Sequence, residues 1–353
     1  MSRGYYLELA RRGLRMPIGT DLVLHEHADA EAILLDGARL GQVYVDAARR
    51  YHTPLALALM DLRVEKDLLC ARLGVPEAEA DAWQLAQAPE AALLAQFTGH
   101  AQGPTTRRMQ ANCEALAHVK KQSDLLPLGM VIGPFSLLTK LLRDPITPVF
   151  MAGSGSSAAD EPEVACVEAA LELATRVCVE SVRLQAAAGA AGMIVAEPAA
   201  SAAYFSPNQL AAGSDTFERY ALAPNRRLRD AIEGAGMDYL FHCCGELVPE
   251  MVQGFGALRP VVLSLGSSRQ LWQDAGLVPA DTVLYGNLPS KRFIAAELSA
   301  PQVRGMADEL VARMQATGHP FILGSECDVL HVHGYEAALH AKVGAMLAHE
   351  ETT

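Results

Sequence analysis

The 353 residues predict a closed eight-stranded α/β barrel, the (β/α)8 or TIM-barrel class, on three observations. Short apolar runs recur along the chain. Each ends in a polar or glycine-containing tip, and most are followed by a longer stretch with helical spacing.

Seven runs read as strands: residues 55–61 (LALALMD), 128–133 (LGMVIG), 192–197 (GMIVAE), 239–244 (YLFHCC), 261–265 (VVLSL), 282–287 (TVLYGN) and 320–327 (PFILGSEC). An eighth is expected in "TPVFMA" (147–152) or near "IGTDLVL" (18–24). The clearest helix runs over 164–187, where Val167, Leu171, Ala174, Cys178 and Ser181 recur at steps of three and four on one face. A final helix is expected over 335–347. A barrel of this class takes about 250 residues. The reading is therefore one domain, with 1–52 as an N-terminal helical extension and 53–353 as the barrel. The stretch "MAGSGSSAADEPE" (151–163) reads as a loop or lid at the barrel mouth. Its Gly153-x-Gly155-x-x-Ala158 match to a dinucleotide fingerprint lacks the acidic residue that should follow at the tip of a second strand.

The composition excludes some partners. There are 41 acidic against 29 basic residues, giving a formal charge of -12, and no basic cluster exceeds pairs such as Arg226-Arg227. A nucleic-acid footprint is missing. The first residues lack an apolar signal region and no run of about 18 apolar residues occurs, which predicts a cytoplasmic protein with no membrane partner. Seven scattered cysteines, an odd number, argue against a disulfide framework.

In a barrel of this class the chemistry sits where the strands end. Here the tips carry Asp61, Glu197, His242, Cys244, Asn287 and Cys327. Successive side chains of a strand point to opposite faces, so in "FHCCG" His242 and Cys244 share one face and Cys243 takes the other. Cys327 is the other cysteine at a strand tip, whereas Cys70, Cys113, Cys166 and Cys178 fall in helical stretches. One histidine and two cysteines form a tetrahedral zinc set, with the fourth position open to a carboxylate such as Glu197, to water or to substrate. Two thiolates already cancel the charge of the metal, which weakens its power to acidify water. Such a centre can still hold a substrate thiol as thiolate, so it favours alkyl transfer to sulfur over hydrolysis. His331 and His333 also stand two apart and read as a solvated or supporting pair. His25 and His27 read as surface or pocket-edge residues.

Five segments in order carry a family resemblance: "VIGPFSLLTKLL" (131–142), "AAGAAGMIVAEPAASAAYFSP" (187–207), "FHCCGELVPEMV" (241–252), "VLYGNLPS" (283–290) and "FILGSECDVL" (321–330). The chain resembles the uroporphyrinogen decarboxylase superfamily, specifically its zinc-dependent methyltransferase branch, exemplified by the methylcobamide:coenzyme M methyltransferases. The resemblance implies a barrel with its site at the C-terminal mouth and zinc on His242, Cys244 and Cys327. It puts Glu197 in the pocket as fourth ligand or general base. The implied activity is a zinc-dependent methyltransferase activating a small thiol for attack on a methyl group, with a methylated corrinoid (cobalamin) or a corrinoid protein as the implied donor. Asp61 and Asn287 would line the pocket. The alternatives are transfer from a small methylated donor to a corrinoid, a uroporphyrinogen-type decarboxylase, and a non-catalytic tetrapyrrole-binding barrel. The decarboxylases carry an arginine-rich motif that "RRGLRMPIGTD" keeps only as Arg12 and Arg15, and they lack the cysteines, which disfavours porphyrinogen decarboxylation. "GNLPS" also lacks the Asp of the usual Gly-Asn-x-Asp-Pro.

Overall fold

The computed structural model describes residues 3–97 and 103–348. Its strands are β1 (Arg15–Ile18), β2 (Leu55–Leu57), β3 (Leu126–Ile132), β4 (Gly192–Ala196), β5 (Asp238–Cys243), β6 (Val262–Leu265), β7 (Val283–Leu288) and β8 (Phe321–Asp328). All seven ladders are parallel, in the order β1-β8-β7-β6-β5-β4-β3-β2. Helices alternate with the strands around the outside, so the fold is a (β/α)8 barrel. β1 and β2 end the ladder order, and side chains bridge the gap between them. Thr20 Oγ1 donates to the Leu57 carbonyl at 3.0 Å, and the Tyr51 hydroxyl donates to the Gly19 carbonyl at 2.9 Å.

Each of the seven apolar runs carries a strand, and the eighth lies beside the second suggested stretch, over Arg15–Ile18, rather than within either. Residues Thr20–Leu24 and Ile146–Gly153 are helices. The second is started by Asp144, whose carboxylate accepts from the Ile146 and Thr147 N–H groups at 3.0 Å each. The missing strand is β1, "RMPI", disguised by Arg15 and Pro17. A proline lacks the ladder donor and is confined to strand edges, and β1 pairs on one side only, with β8. The barrel therefore starts at Arg15, inside the expected extension of 1–52, and the described residues before it hold the helix Arg3–Arg11. That helix closes the bottom of the barrel, where Arg3 donates to the carbonyls of Pro260 at 2.9 Å and Arg259 at 2.7 Å.

The expected loop over 151–163 is shorter than its composition suggests. Met151–Gly153 end one helix, and Pro162 opens the 27-residue helix Pro162–Ala188, which Gly189 terminates at φ 102°. Gln209 ties the connection down, donating to the Phe150 carbonyl and the Ser154 hydroxyl at 2.9 Å each. The final helix is Glu336–Leu347. Cys70, Cys113, Cys166 and Cys178 all lie in helices. No described helix is long and apolar enough to cross a membrane.

Leu57, Leu128, Ile194, Leu240, Val262 and Ile322 point into the barrel around a residual cavity of about 40 Å³. Burying each such side chain contributes about 1.5–3 kcal/mol. The Tyr285 ring crosses this space to donate to the Met16 carbonyl at 2.9 Å. Gly324 makes room for it, since a Cβ there would come within 2.2 Å of the ring. The result is an apolar floor beneath the mouth.

Candidate metal centre

β5 alternates as its sequence requires. Phe241 packs outward on Phe255 of the helix Pro249–Ala257, with ring centroids 4.7 Å apart. Cys243 is fully buried, its thiol 3.9 Å from the Ala200 carbonyl. Burial pushes that thiol far up, so it stays protonated. His242 takes the inner face and is only 1% exposed. The β5–β6 register sets it opposite Ser264, and its Nδ1 lies 2.8 Å from Ser264 Oγ. Its Nε2 is buried with no partner. A buried polar atom without a hydrogen bond costs about 1–3 kcal/mol, which a ligand at that nitrogen would remove.

Cys244 follows just past the end of β5, and Cys327 comes from β8. The donor atoms of His242, Cys244 and Cys327 lie within 4.8 Å of one another. Cys327 reaches the mouth through an irregularity. Ile322, five residues earlier, faces the interior, so strict alternation would turn Cys327 outward. Between them the pairing with β1 shifts from Met16–Gly324 to Ile18–Asp328, four residues of β8 against two of β1. Ser325 Oγ accepts the Ile18 N–H at 3.0 Å inside that bulge.

The two thiols behave as a pair. The Cys244 thiol is drawn well below the usual range, first by the hydrogen bond from Cys327, then by His242 and the Lys291 ammonium. The Cys327 thiol is pushed up, first by Cys244 and then by burial. A divalent cation held by both sulfurs would displace their protons. Lys291, in the turn after β7, stands near Cys244. Burial would lower its pKa, but Cys244, Glu326 and Cys327 outweigh it and the pKa rises.

The other polar tips go elsewhere. Glu197 is fully buried, and its carboxylate accepts from the N–H groups of Ser136 at 2.6 Å and Phe135 at 3.2 Å and from Asn225 Nδ2 at 2.8 Å. It neutralises the start of the helix Pro134–Leu141, which approaches closely because residue 133 is glycine; a Cβ there would lie 2.2 Å from the carboxylate. Burial raises its pKa in spite of these bonds. The structure thus does not bring Glu197 to the three donors, either as a ligand or as a base. Asp61 is spent on Arg63 at 3.1 Å and Arg108 at 3.3 Å. Asn287 donates to the carbonyls of Gly266 at 2.8 Å and Arg269 at 2.9 Å, bracing the loop after β6. His331 stacks on His25 at 4.7 Å and bonds Glu336 at 3.1 Å, and His333 is almost wholly exposed.

Two contributors escape the motif reading, Ser264 and Lys291. Ser264 leaves a trace in "VVLSL", where it is the one hydroxyl in an otherwise apolar strand. Lys291 leaves none, since it lies in a turn. A family model, Uroporphyrinogen decarboxylase (URO-D), matches residues 27–341. The chain belongs to the uroporphyrinogen decarboxylase family. Among solved structures, this member of that family is similar to "methyltransferase from Methanosarcina mazei", with a TM-score of 0.66 and 16% identity over 98% of each chain. At that identity the likeness speaks to the shared fold. No curated protein matches the chain.

Proposed function

We propose that this uroporphyrinogen decarboxylase family member is a zinc-dependent methyltransferase, with His242, Cys244 and Cys327 holding the metal and a small thiol accepting the methyl group. The observation that carries this reading is buried His242, with its Nε2 unpartnered, gathered with the thiols of Cys244 and Cys327 within 4.8 Å. Three soft donors of this kind suit zinc. The methyl donor in this reading is a methylated corrinoid, free or on a carrier protein, which rests on the resemblance of the ordered segments to the corrinoid-linked branch.

Zinc bound here would supply the Lewis acidity that keeps the acceptor sulfur deprotonated near neutral pH. The chain's own residues do the rest. Ser264 accepts from His242 Nδ1–H and so presents Nε2 as a neutral donor. Cys244 and Cys327 bring two negative charges, which leave the acceptor sulfur electron-rich. The Lys291 ammonium beside Cys244 offsets part of that charge. The apolar floor beneath His242 keeps bulk water from one side. In the transfer the acceptor sulfur forms a bond to the methyl carbon as the carbon–cobalt bond breaks, and the bonding pair stays on cobalt.

The test is incubation of the zinc-loaded protein with methylcobalamin and a panel of small thiols, following the cobalamin spectrum and the loss of free thiol. Demethylation matched by thioether formation with at least one thiol is expected. If no thiol is consumed while an added small methyl donor methylates cob(I)alamin, transfer runs the other way and the proposed direction is wrong.

A further inference from the structure

We propose that the thioether of Met60 is the fourth ligand of the His242–Cys244–Cys327 centre in the resting protein; this rests on the metal-site reading above. Met60 stands three residues beyond the end of β2, across the mouth from β5, and its Sδ lies 4.0 Å from Cys327 Sγ. Two sulfurs each about 2.3 Å from a tetrahedral metal are about 3.8 Å apart. The Met60–Cys327 spacing is therefore that of two ligands sharing one ion.

No described carboxylate joins the three donors. Glu197 is bound to a helix N-terminus, Asp61 to two arginines, and Glu326 accepts from the Ser267 N–H at 3.1 Å, the Ser267 hydroxyl at 2.7 Å and the Lys291 N–H at 3.3 Å. A thioether suits the position on charge as well. With two thiolates, a neutral imidazole and a neutral thioether, a divalent ion is electrically balanced, whereas a carboxylate would make the resting site anionic and oppose an incoming thiolate. Thioether sulfur belongs with the soft donors that zinc and copper(I) accept, and is the weakest of this set. Met60 would yield its place to the acceptor thiolate, whose proton passes to water. Met60 Sδ stands at weak hydrogen-bond distance from the Cys327 thiol, a contact that deprotonation of Cys327 would end.

Selenomethionine labelling makes Met60 visible. Labelled full-length protein loaded with zinc chloride should show, at the zinc X-ray absorption edge, one selenium beside two sulfurs and one nitrogen. Met60→Leu, which conserves volume, should remove the selenium shell while the other 11 of the 12 methionines stay labelled. A zinc site with two sulfurs and only light atoms otherwise overturns the Met60 assignment and leaves the zinc methyltransferase reading standing. Selenium that persists in Met60→Leu also overturns it. Protein that takes up no zinc removes both.

Discussion

The tips of β4 and β5 lie side by side in the barrel and look alike in sequence, each a short apolar run closing on a polar group. They are used in opposite ways. At β4, Glu197 meets three donors and its charge is consumed in holding a helix. At β5, His242 has one nitrogen satisfied and the other left over, in a group with two thiols. A polar residue at a strand tip thus becomes a candidate for chemistry only when the surrounding chain leaves part of its bonding capacity unmet. By that criterion Asp61 and Asn287 stand with Glu197, and Cys327 stands with His242 and Cys244.

The largest expected effect separates the two tips outright. Cys244→Ser or Cys327→Ser should lose bound zinc and thiol methylation together, by elemental analysis and the methylcobalamin assay, while the circular dichroism of the fold is kept. Glu197→Ala should do the reverse. It strands two backbone N–H groups and the Asn225 amide in the interior, so denaturant unfolding should show a loss of about 3 kcal/mol with zinc stoichiometry unchanged. Zinc lost from Glu197→Ala in protein that is still folded would break the comparison.

Smaller effects sharpen it. Ser264→Ala removes the acceptor that fixes the His242 tautomer, and should weaken zinc binding about 10- to 100-fold in a chelator competition. Cys243→Ser should be the mildest, since Cys243 faces the helices and not the mouth. Its buried hydroxyl would find only a distant carbonyl, for a cost of about 1–3 kcal/mol in stability and none in metal content.

Apolar runs that close on polar tips are enough for seven strands, and the two-residue strand period is enough to separate Cys244 from Cys243. β1 was hidden because an edge strand tolerates the proline and arginine that make it look like a turn. Cys327 was legible as a tip cysteine, but the bulge that turns it inward was not, because alternation counted from Ile322 points the other way. Glu197, Asp61 and Asn287 read as site residues because a sequence shows which groups can bond but not which partners the fold delivers. The same gap conceals Ser264 and Lys291, whose importance lies in what they face across the barrel.

The most direct test of the central claim is the zinc content of wild-type protein purified without chelators. The account predicts close to one zinc per chain, retained through gel filtration and removed by chelation together with thiol methylation. Clearly substoichiometric zinc, unchanged by Cys327→Ser, would contradict it.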